Sequence, residues 1–429
     1  MQTVIADDIT GAAEIAGIAF SKGMRVKLQI IGPKRPPLKP TPIPSRREGG
    51  LATTSAETNQ TPLPSGGDGG GLQVIATDTR SMSAQEAYDE TLRICRHLSP
   101  LSGGLGGLLY KKTDSALRGN VVSELRALME ATGARRAVWV PANPSRGRVI
   151  RAGVYYIGEK PISETDFSFD PEFPARTSSV RERFPDAAAN GILIPDAETT
   201  DDLRRILRQY DDGHTLFAGA ADFYEVRHAL QPTPIPSRRE EPTPIPSRRE
   251  GRLVCSCACS SQTPLPSGGD GGGFQVGGGF LGLLLLCGST QSRPPAIGIP
   301  ISEMPRAVYD GDAPASDWLE AIRSQQAGHH SDSLILTIPH RHRTGKAAAV
   351  HLRSVMAEVV GGLIGRQCPD QLIIEGGATA YAVLTALGWT DFELTRQIAP
   401  GVVQMRAACG TLVTLKPGSY AWGGLFNTD

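Results

Sequence analysis

The chain has 429 residues, with 44 basic and 44 acidic side chains in balance. That neutrality excludes a protein that works through bulk charge on nucleic acid or on an anionic membrane surface, and the length suits two α/β domains. Asp7 and Asp8 fall where a secretory signal would carry its apolar run, and FLGLLLLC at 280–287 is too short to cross a bilayer, so a cytoplasmic enzyme is expected.

Thr3 to Ala6 predict a short buried strand and Ala12 to Phe20 an apolar-faced helix, with DDITG between them. Asp7, Asp8 and Thr10 then sit at the carboxyl end of a strand, where open α/β sheets bind ligands. Capping the helix would occupy one of these side chains, and the doubled Asp leaves a carboxylate over. RVKLQII and LQVIATD follow as strands, the second ending in DTRS at Asp78 to Ser81. A helix over Ser83 to His97, a strand GLLYKK, a helix over Val121 to Ala131 and a strand AVWVPA continue the alternation. This pattern predicts a mainly parallel sheet with helices on both faces, and DDITG, DTRS and KKTDS as three polar strand ends on one crevice. In KKTDSALRGN, Lys111, Lys112 and Arg118 suit a carboxylate or phosphate, while Asp114 and Ser115 suit hydroxyls. A solvated charge run is the competing explanation.

Two stretches interrupt this pattern. PTPIPSRRE recurs at 40–48, 232–240 and 242–250, and QTPLPSGGDGGG at 60–71 and 262–273. Rich in Pro, Gly, Ser and charge, these blocks, about Lys39 to Gly71 and Gln231 to Gly273, cannot bury enough surface to offset chain entropy and are expected to be exposed insertions without a catalytic part. The CSCAC of Cys255, Cys257 and Cys259 lies inside the second block and lacks both the spacing and the second ligand pair of a zinc site. Cys95, Cys287, Cys368 and Cys409 read as reduced, mostly buried thiols.

In the second half, FLGLLLLC reads as a buried parallel strand leading to GSTQS. QLIIEGGATAYAVLTALG places Gly376, Gly377, Ala378 and Thr379 between a strand and a helix, where free backbone N–H groups can cradle phosphates. TLVTLKPGSY ends a strand at Lys416, which is either a phosphate contact or a solvated strand-end charge, with Gly418 just beyond it. HRHR at 340–343 is expected at a strand end on the surface. No Walker A pattern occurs, and the first strand is not followed by GxGxxG, which disfavours a dinucleotide-dependent dehydrogenase.

Seven motifs in order, ADDITGA, TDTRS, KKTDSALRGN, PANPSRGR followed by GVYYI, ETDFSFDPEFP, EGGATAYAVLTALG and IAPGV, resemble the four-carbon acid sugar kinases, the DUF1537 family, over nearly all of the chain outside the two blocks. The resemblance implies an acid-sugar-binding domain over 1–213, a nucleotide-binding domain over 214–429 and an active site in the cleft between them. It implies phosphorylation of the terminal hydroxyl of threonate, erythronate or 3-oxo-tetronate by ATP, with Mg²⁺ whose protein ligands cannot be assigned.

Carried over by position, Asp8, Arg80, Lys111, Asp114 and Ser115 are the implied substrate contacts, with Asp8 the candidate catalytic base. Pro141 to Arg148 would form a loop lining the cleft, with Arg146 and Arg148 in reach of substrate or phosphate. Ser289, Gly376, Gly377, Ala378, Thr379 and Gly418 are the implied nucleotide contacts. The GSTQS turn departs from the family's Gly-Ser-Cys-Ser type, and Tyr420 and Ala421 replace its Phe-Gly. These departures keep open a catalytically impaired sugar-acid-binding or regulatory protein of the same fold. The expected partner is a small acid sugar, with no nucleic acid or membrane, and homo-oligomerisation is left open.

Overall fold

The computed structural model describes residues 2–32, 71–98, 109–170, 173–230, 282–288, 294–327, 331–339, 345–365 and 368–418. The first half contains β1 (Gln2–Ala6), α1 (Ile9–Ser21), β2 (Arg25–Ile30), β3 (Gly71–Ala76), α2 (Ala84–His97), β4 (Leu109–Lys112), α3 (Val121–Thr132), β5 (Arg136–Val140), β6 (Arg148–Arg151), β7 (Val154–Ile157), β8 (Lys160–Pro161), α4 (Val180–Arg183), β9 (Ile192–Leu193), α5 (Thr200–Tyr210), β10 (Thr215–Gly219) and α6 (Ala221–Ala229). The second contains β11 (Leu283–Cys287), β12 (Ile301–Glu303), α7 (Arg306–Asp310), α8 (Ala315–Ala327), β13 (Leu334–Thr337), α9 (Lys346–Ile364), β14 (Gln371–Glu375), α10 (Gly377–Ala386), β15 (Asp391–Ala399), β16 (Val402–Ala407) and β17 (Leu412–Lys416).

Local chemistry explains the element ends. Asp8 caps α1, and Ser83 with Glu86 and Thr199 with Asp202 form capping boxes that start α2 and α5. Gly133 ends α3 in the left-handed conformation open to glycine. The strand cores Val4–Ala6, Val74–Ala76, Ala137–Val140 and Leu284–Cys287 are buried on both faces, as a parallel sheet between helices requires.

The strands form one sheet in the order β12-β13-β11-β14-β17-β16-β15-β2-β3-β1-β4-β10-β5-β9, beside a small antiparallel sheet of β6, β7 and β8. Within each half the large sheet is mainly parallel, as the sequence predicts. Instead of two separate sheets, the antiparallel hairpin β15–β16 bridges the halves, pairing β15 with the outer edge of β2 and β16 with β17. An otherwise open edge on each half is thereby closed.

Two boundaries differ from the sequence expectation. Gly71, placed at the end of the first inserted block, is the first residue of β3 and pairs with Arg25. A division at 213/214 would assign β10 to the second domain, yet β10 is hydrogen-bonded between β4 and β5 of the first half. Sheet pairing therefore puts the division after α6, since β10 completes the first half's core with the buried Leu216, Phe217 and Ala218. The bulk of both inserted blocks, CSCAC and HRHR lie outside the described residues. Cys95 and Cys287 are buried, and Cys368 and Cys409 are half-buried. By length and composition α9 is the one helix among the described residues apolar enough to cross a membrane. Its Val355, Met356, Val359 and Val360 are packed in the main core.

Candidate active site

β1 pairs with β3 on one side and β4 on the other, so DDITG, DTRS and KKTDS emerge side by side at the carboxyl ends of neighbouring strands. Arg80, on the 3-10 turn Thr79–Ser81, joins all three. Its Nε lies 2.9 Å from Asp7 Oδ2, one Nη 2.9 Å from Asp8 Oδ2, and the other 3.6 Å from Asp114 Oδ1. A single planar guanidinium can serve three carboxylates because its donors fan outward in one plane. Asn120 fixes the turn from beneath, its Nδ2 donating to the carbonyls of Thr79 and Met82 at 2.9 and 2.8 Å.

The two adjacent aspartates have different environments. Asp8 accepts the Gly11 N–H at 2.8 Å and the Thr10 hydroxyl at 2.5 Å, so it is the helix cap. Burial alone would raise its pKa, but Arg80, Thr10 and Gly11 outweigh burial and hold it below the ordinary carboxylate value. Asp7 is fully buried, and there burial prevails over Arg80 and raises its pKa. Asp7 lies beneath Arg80 and orients it, whereas the partly exposed Asp8 can meet a ligand.

The strand alternation of β4 separates its two lysines. Lys111 turns to the α3 face, has no accessible surface and places Nζ 2.6 Å from Glu124 Oε1, which also accepts the Thr79 hydroxyl. The structure therefore does not bring Lys111 to the polar face: its ammonium belongs to a buried pair under the site. Lys112 takes that face instead. Its Nζ stands 3.2 Å from Glu14 of α1 and 3.0 Å from the Thr113 carbonyl, and a Cβ on Gly11 would lie 3.4 Å from it.

Asp114 is boxed by the segment it begins. Its carboxylate accepts from the Ala116 and Arg118 amides and from Arg118 Nε and Nη2, at 2.9 to 3.2 Å. Burial opposes its charge, yet Arg118 and Arg80 together hold its pKa well below the usual range. Ser115 accepts a hydrogen bond from Arg148, and its carbonyl accepts one from the buried Tyr155 hydroxyl. Arg118 and Arg148 both lie over the Phe167 ring, 5.6 Å from its centroid, and Arg118 also pairs with Asp170. Arg146 reaches Glu14 at 3.5 Å. Five cations and a like number of carboxylates thus surround the strand ends, an environment for a hydroxylated anion.

In the second half, Gly376 caps α10 with φ 93°, a conformation suited to glycine, and has no side chain of its own with which to cap the helix. Its amide donates to the Lys416 carbonyl at 2.9 Å. Gly377, Ala378 and Thr379 form the first turn, whose N–H groups have no acceptor within the helix. Gly418, just past β17, is half-buried, while Ser289 lies outside the described residues. The neighbouring Gly288 packs on Thr379, which leaves no room for a Cβ there. Lys416 is neither of the expected alternatives: it is buried, with Nζ 2.5 Å from Glu375 Oε1. The thiol of Cys287, in register with Glu375, is pushed up to about 12 by burial and that carboxylate, and is inert as a nucleophile.

The two halves of the site touch. A Cβ on Gly377 would lie 2.7 Å from Thr10 Cγ2, so the start of α10 rests against the start of α1. Glu14, Glu124 and Asn120 were not singled out in the sequence. Glu14 carries a helical signal, standing one turn after Gly11 on the same face, whereas nothing local marks Glu124 as the partner of Lys111.

These features define an α/β protein with a polar-ligand cluster in one half and an uncapped glycine turn in the other. Residues 2–190 match the family described as sugar-binding N-terminal domain, and residues 291–420 match that described as nucleotide-binding C-terminal domain, together well over half of the chain. The chain is similar to a D-threonate kinase of Salmonella typhimurium, 30% identical over 180 residues that cover 42% of this chain and 35% of the relative. It is similar at 23% identity to a 3-oxo-tetronate kinase of Methylobacterium radiotolerans over 98% of this chain and 96% of that one. Its fold resembles that of a DUF1537 protein of Haemophilus influenzae, with TM-score 0.57 and 19% identity over 99% of this chain and 98% of the other. The chain belongs to the four-carbon acid sugar kinase family.

Proposed function

We propose that this chain is an ATP-dependent kinase for the terminal hydroxyl of a four-carbon acid sugar of the threonate, erythronate or 3-oxo-tetronate type. The observation that carries this reading is the contact of Thr10 with Gly377, which sets the sugar-type cluster against the uncapped start of α10. Lys112, Arg146 and Arg148 are the cations for the substrate carboxylate, displacing Glu14 and Ser115 as their partners. Asp8, Asp114 and Ser115 face the hydroxyls. With its depressed pKa, Asp8 acts by accepting and orienting the attacking hydroxyl more than by strong basicity, which suits phosphoryl transfer. The amides of Gly377, Ala378 and Thr379, with Gly376 and Gly418 leaving room for the approach, would hold ATP phosphates.

Among the described residues no group of three or more His, Cys, Asp or Glu side chains could hold a metal ion. Mg²⁺ would accordingly be held chiefly by the phosphates it accompanies.

The test is release of ADP by purified protein with Mg²⁺, ATP and a panel of threonate and erythronate epimers and 3-oxo-tetronate. ADP formation that depends on one of these acids is the expected result. Saturable binding of an acid with no ADP released would instead support a binding or regulatory protein.

A further inference from the structure

The loop Pro141 to Gly147, which joins β5 to β6 and contains the 3-10 turn Pro144–Arg146, carries Arg146 and leads directly into Arg148, the first residue of β6. A side chain from elsewhere holds it as well. β5 and β10 run side by side, with Val140 in register with Gly219, so the loop after β5 and the start of α6 lie next to each other. There Asp222, in the first turn of α6, makes three hydrogen bonds to the loop. Its Oδ2 accepts the Ser145 amide at 2.7 Å, its Oδ1 accepts the Ser145 hydroxyl at 2.8 Å, and its own amide donates to Asn143 Oδ1 at 3.0 Å.

Asn143 passes this hold onward. Its amide donates to the Arg148 carbonyl at 2.7 Å and its carbonyl accepts the Arg148 amide at 3.2 Å, closing the turn on itself. The half-buried Asp222 is thus tied to the turn at two points, its main chain to the side chain of the buried Asn143 and its side chain to Ser145, two residues further on. From the two ends of this short turn the guanidiniums diverge. Arg146 reaches Glu14 on α1, and Arg148 reaches Ser115 and the Phe167 ring.

We propose that Asp222 is a positioning residue for acid-sugar recognition: by clamping Asn143 and Ser145 it sets where Arg146 and Arg148 stand around the ligand. Asp222 itself touches neither ligand nor reacting atoms. This inference rests on the acid-sugar assignment of that cluster. A carboxylate accepting two bonds from one residue holds both position and orientation, which a neutral cap would not do as firmly. Because the clamp lies on the loop and not at α10, it acts on one substrate only.

The experiment compares wild type with Asp222→Ala, Asp222→Asn and Ser145→Ala. Steady-state kinetics are measured with the acid sugar that wild type turns over, together with hydrogen exchange of the 141–150 segment. The expected result is a rise of about tenfold in KM for the acid in Asp222→Ala, the loss of charge-assisted hydrogen bonds. The kcat and the KM for ATP stay within about twofold, since a rise in KM without a change in kcat marks a binding contact. Exchange should quicken in 141–150 above the rest of the protein. Asp222→Asn, which keeps a carbonyl oxygen for the Ser145 amide, should recover part of the loss. Ser145→Ala, a surface change that preserves the amide bond, should give a smaller rise in the same direction and keeps the test open if Asp222→Ala folds poorly. Unchanged KM for the acid in all three variants, or equal losses for acid and ATP, would overturn the proposal. Absence of turnover in wild type with every acid would instead count against the kinase assignment itself.

Discussion

Thr10 and Gly377 meet at the junction of the two halves: a side chain on Gly377 would begin 2.7 Å from Thr10 Cγ2 and 3.3 Å from Thr10 Oγ1. Real Cβ atoms essentially never come so close, so the start of α10 can lie where it does only because residue 377 has no side chain. Thr10 in turn is bonded to Asp8, which Arg80 holds in the cluster. A shift of α10 therefore displaces the glycine turn relative to the hydroxyl-binding groups.

Gly377→Ala is expected to lower kcat about a hundredfold, because misplacement of reacting groups by roughly 1 Å costs that much. Binding of the acid sugar alone should change little. Thr10→Ser removes Cγ2 while keeping the hydroxyl for Asp8, so Thr10→Ser with Gly377→Ala should recover much of the loss. Kinetics of the two single variants and the double variant measure this coupling; strict additivity would show that the contact does not act on catalysis.

Lys111 and Lys112 should separate stability from binding. Lys111→Met leaves Glu124 in the core without its countercharge, with the Thr79 hydroxyl still donating to it, a loss of about 3–5 kcal/mol as read from the urea midpoint. Changing Lys111 to Met and Glu124 to Leu together should restore most of that stability, since a buried pair replaced by apolar groups is often neutral. Lys112→Met should cost less stability than Lys111→Met, because its partner Glu14 keeps Arg146. It should instead raise the KM for the acid sugar and leave that for ATP unchanged.

This pair also shows how far the sequence was legible. The alternation of apolar strands and helices announced the parallel sheet and placed DDITG, DTRS and KKTDS at adjacent strand ends, as the pairing of β1 with β3 and β4 has it. Which of two successive lysines faces the polar cluster depends on strand register and on a partner thirteen residues away on α3, and neither is written locally. Lys416 was obscured in the same way by Glu375, 41 positions earlier in the chain but adjacent across the sheet. The helical cap at Asp8 was legible, and so was the surplus carboxylate. That Asp7 would serve to hold Arg80 was not, because the guanidinium comes from another strand end. The domain division was missed because β10 follows a helix and turn like any start of a new unit, while its place between β4 and β5 is a matter of long-range pairing.

The depressed pKa values of Asp8 and Asp114 predict an acid-sensitive site. For a carboxyl whose folded pKa lies below its unfolded value, near about 3.9, the stabilisation is complete above the unfolded value and is lost as pH falls through the folded one. The contribution of Asp8 and Asp114 should therefore hold steady from neutral pH to near about 4 and decline below that. Asp7, raised by burial, works in the opposite sense and gains from protonation as the pH falls. Asp114→Asn should weaken the decline below pH 4 while lowering stability at neutral pH. Urea midpoints across this pH range provide the measurement, and an unaltered acid limb in Asp114→Asn would show that the Arg80 and Arg118 pairing does not govern it.

Arg80→Lys tests whether the three-way contact needs a guanidinium. Lysine preserves the charge but offers a single nitrogen on a flexible stem, which can meet one or two of Asp7, Asp8 and Asp114 but not hold all three in one plane. Asp7 is fully buried, so any oxygen left without a donor there is costly. A stability loss of about 1–3 kcal/mol follows from the unmade bonds. The catalytic loss should be larger than the stability loss accounts for, since Asp8 and Asp114 come from different strand ends and Arg80 pairs with both. The measurement is kcat/KM for the acid sugar at a urea-free, fully folded baseline, beside the urea midpoint. A variant with lowered stability and unchanged kcat/KM would reduce Arg80 to a structural tie between strand ends.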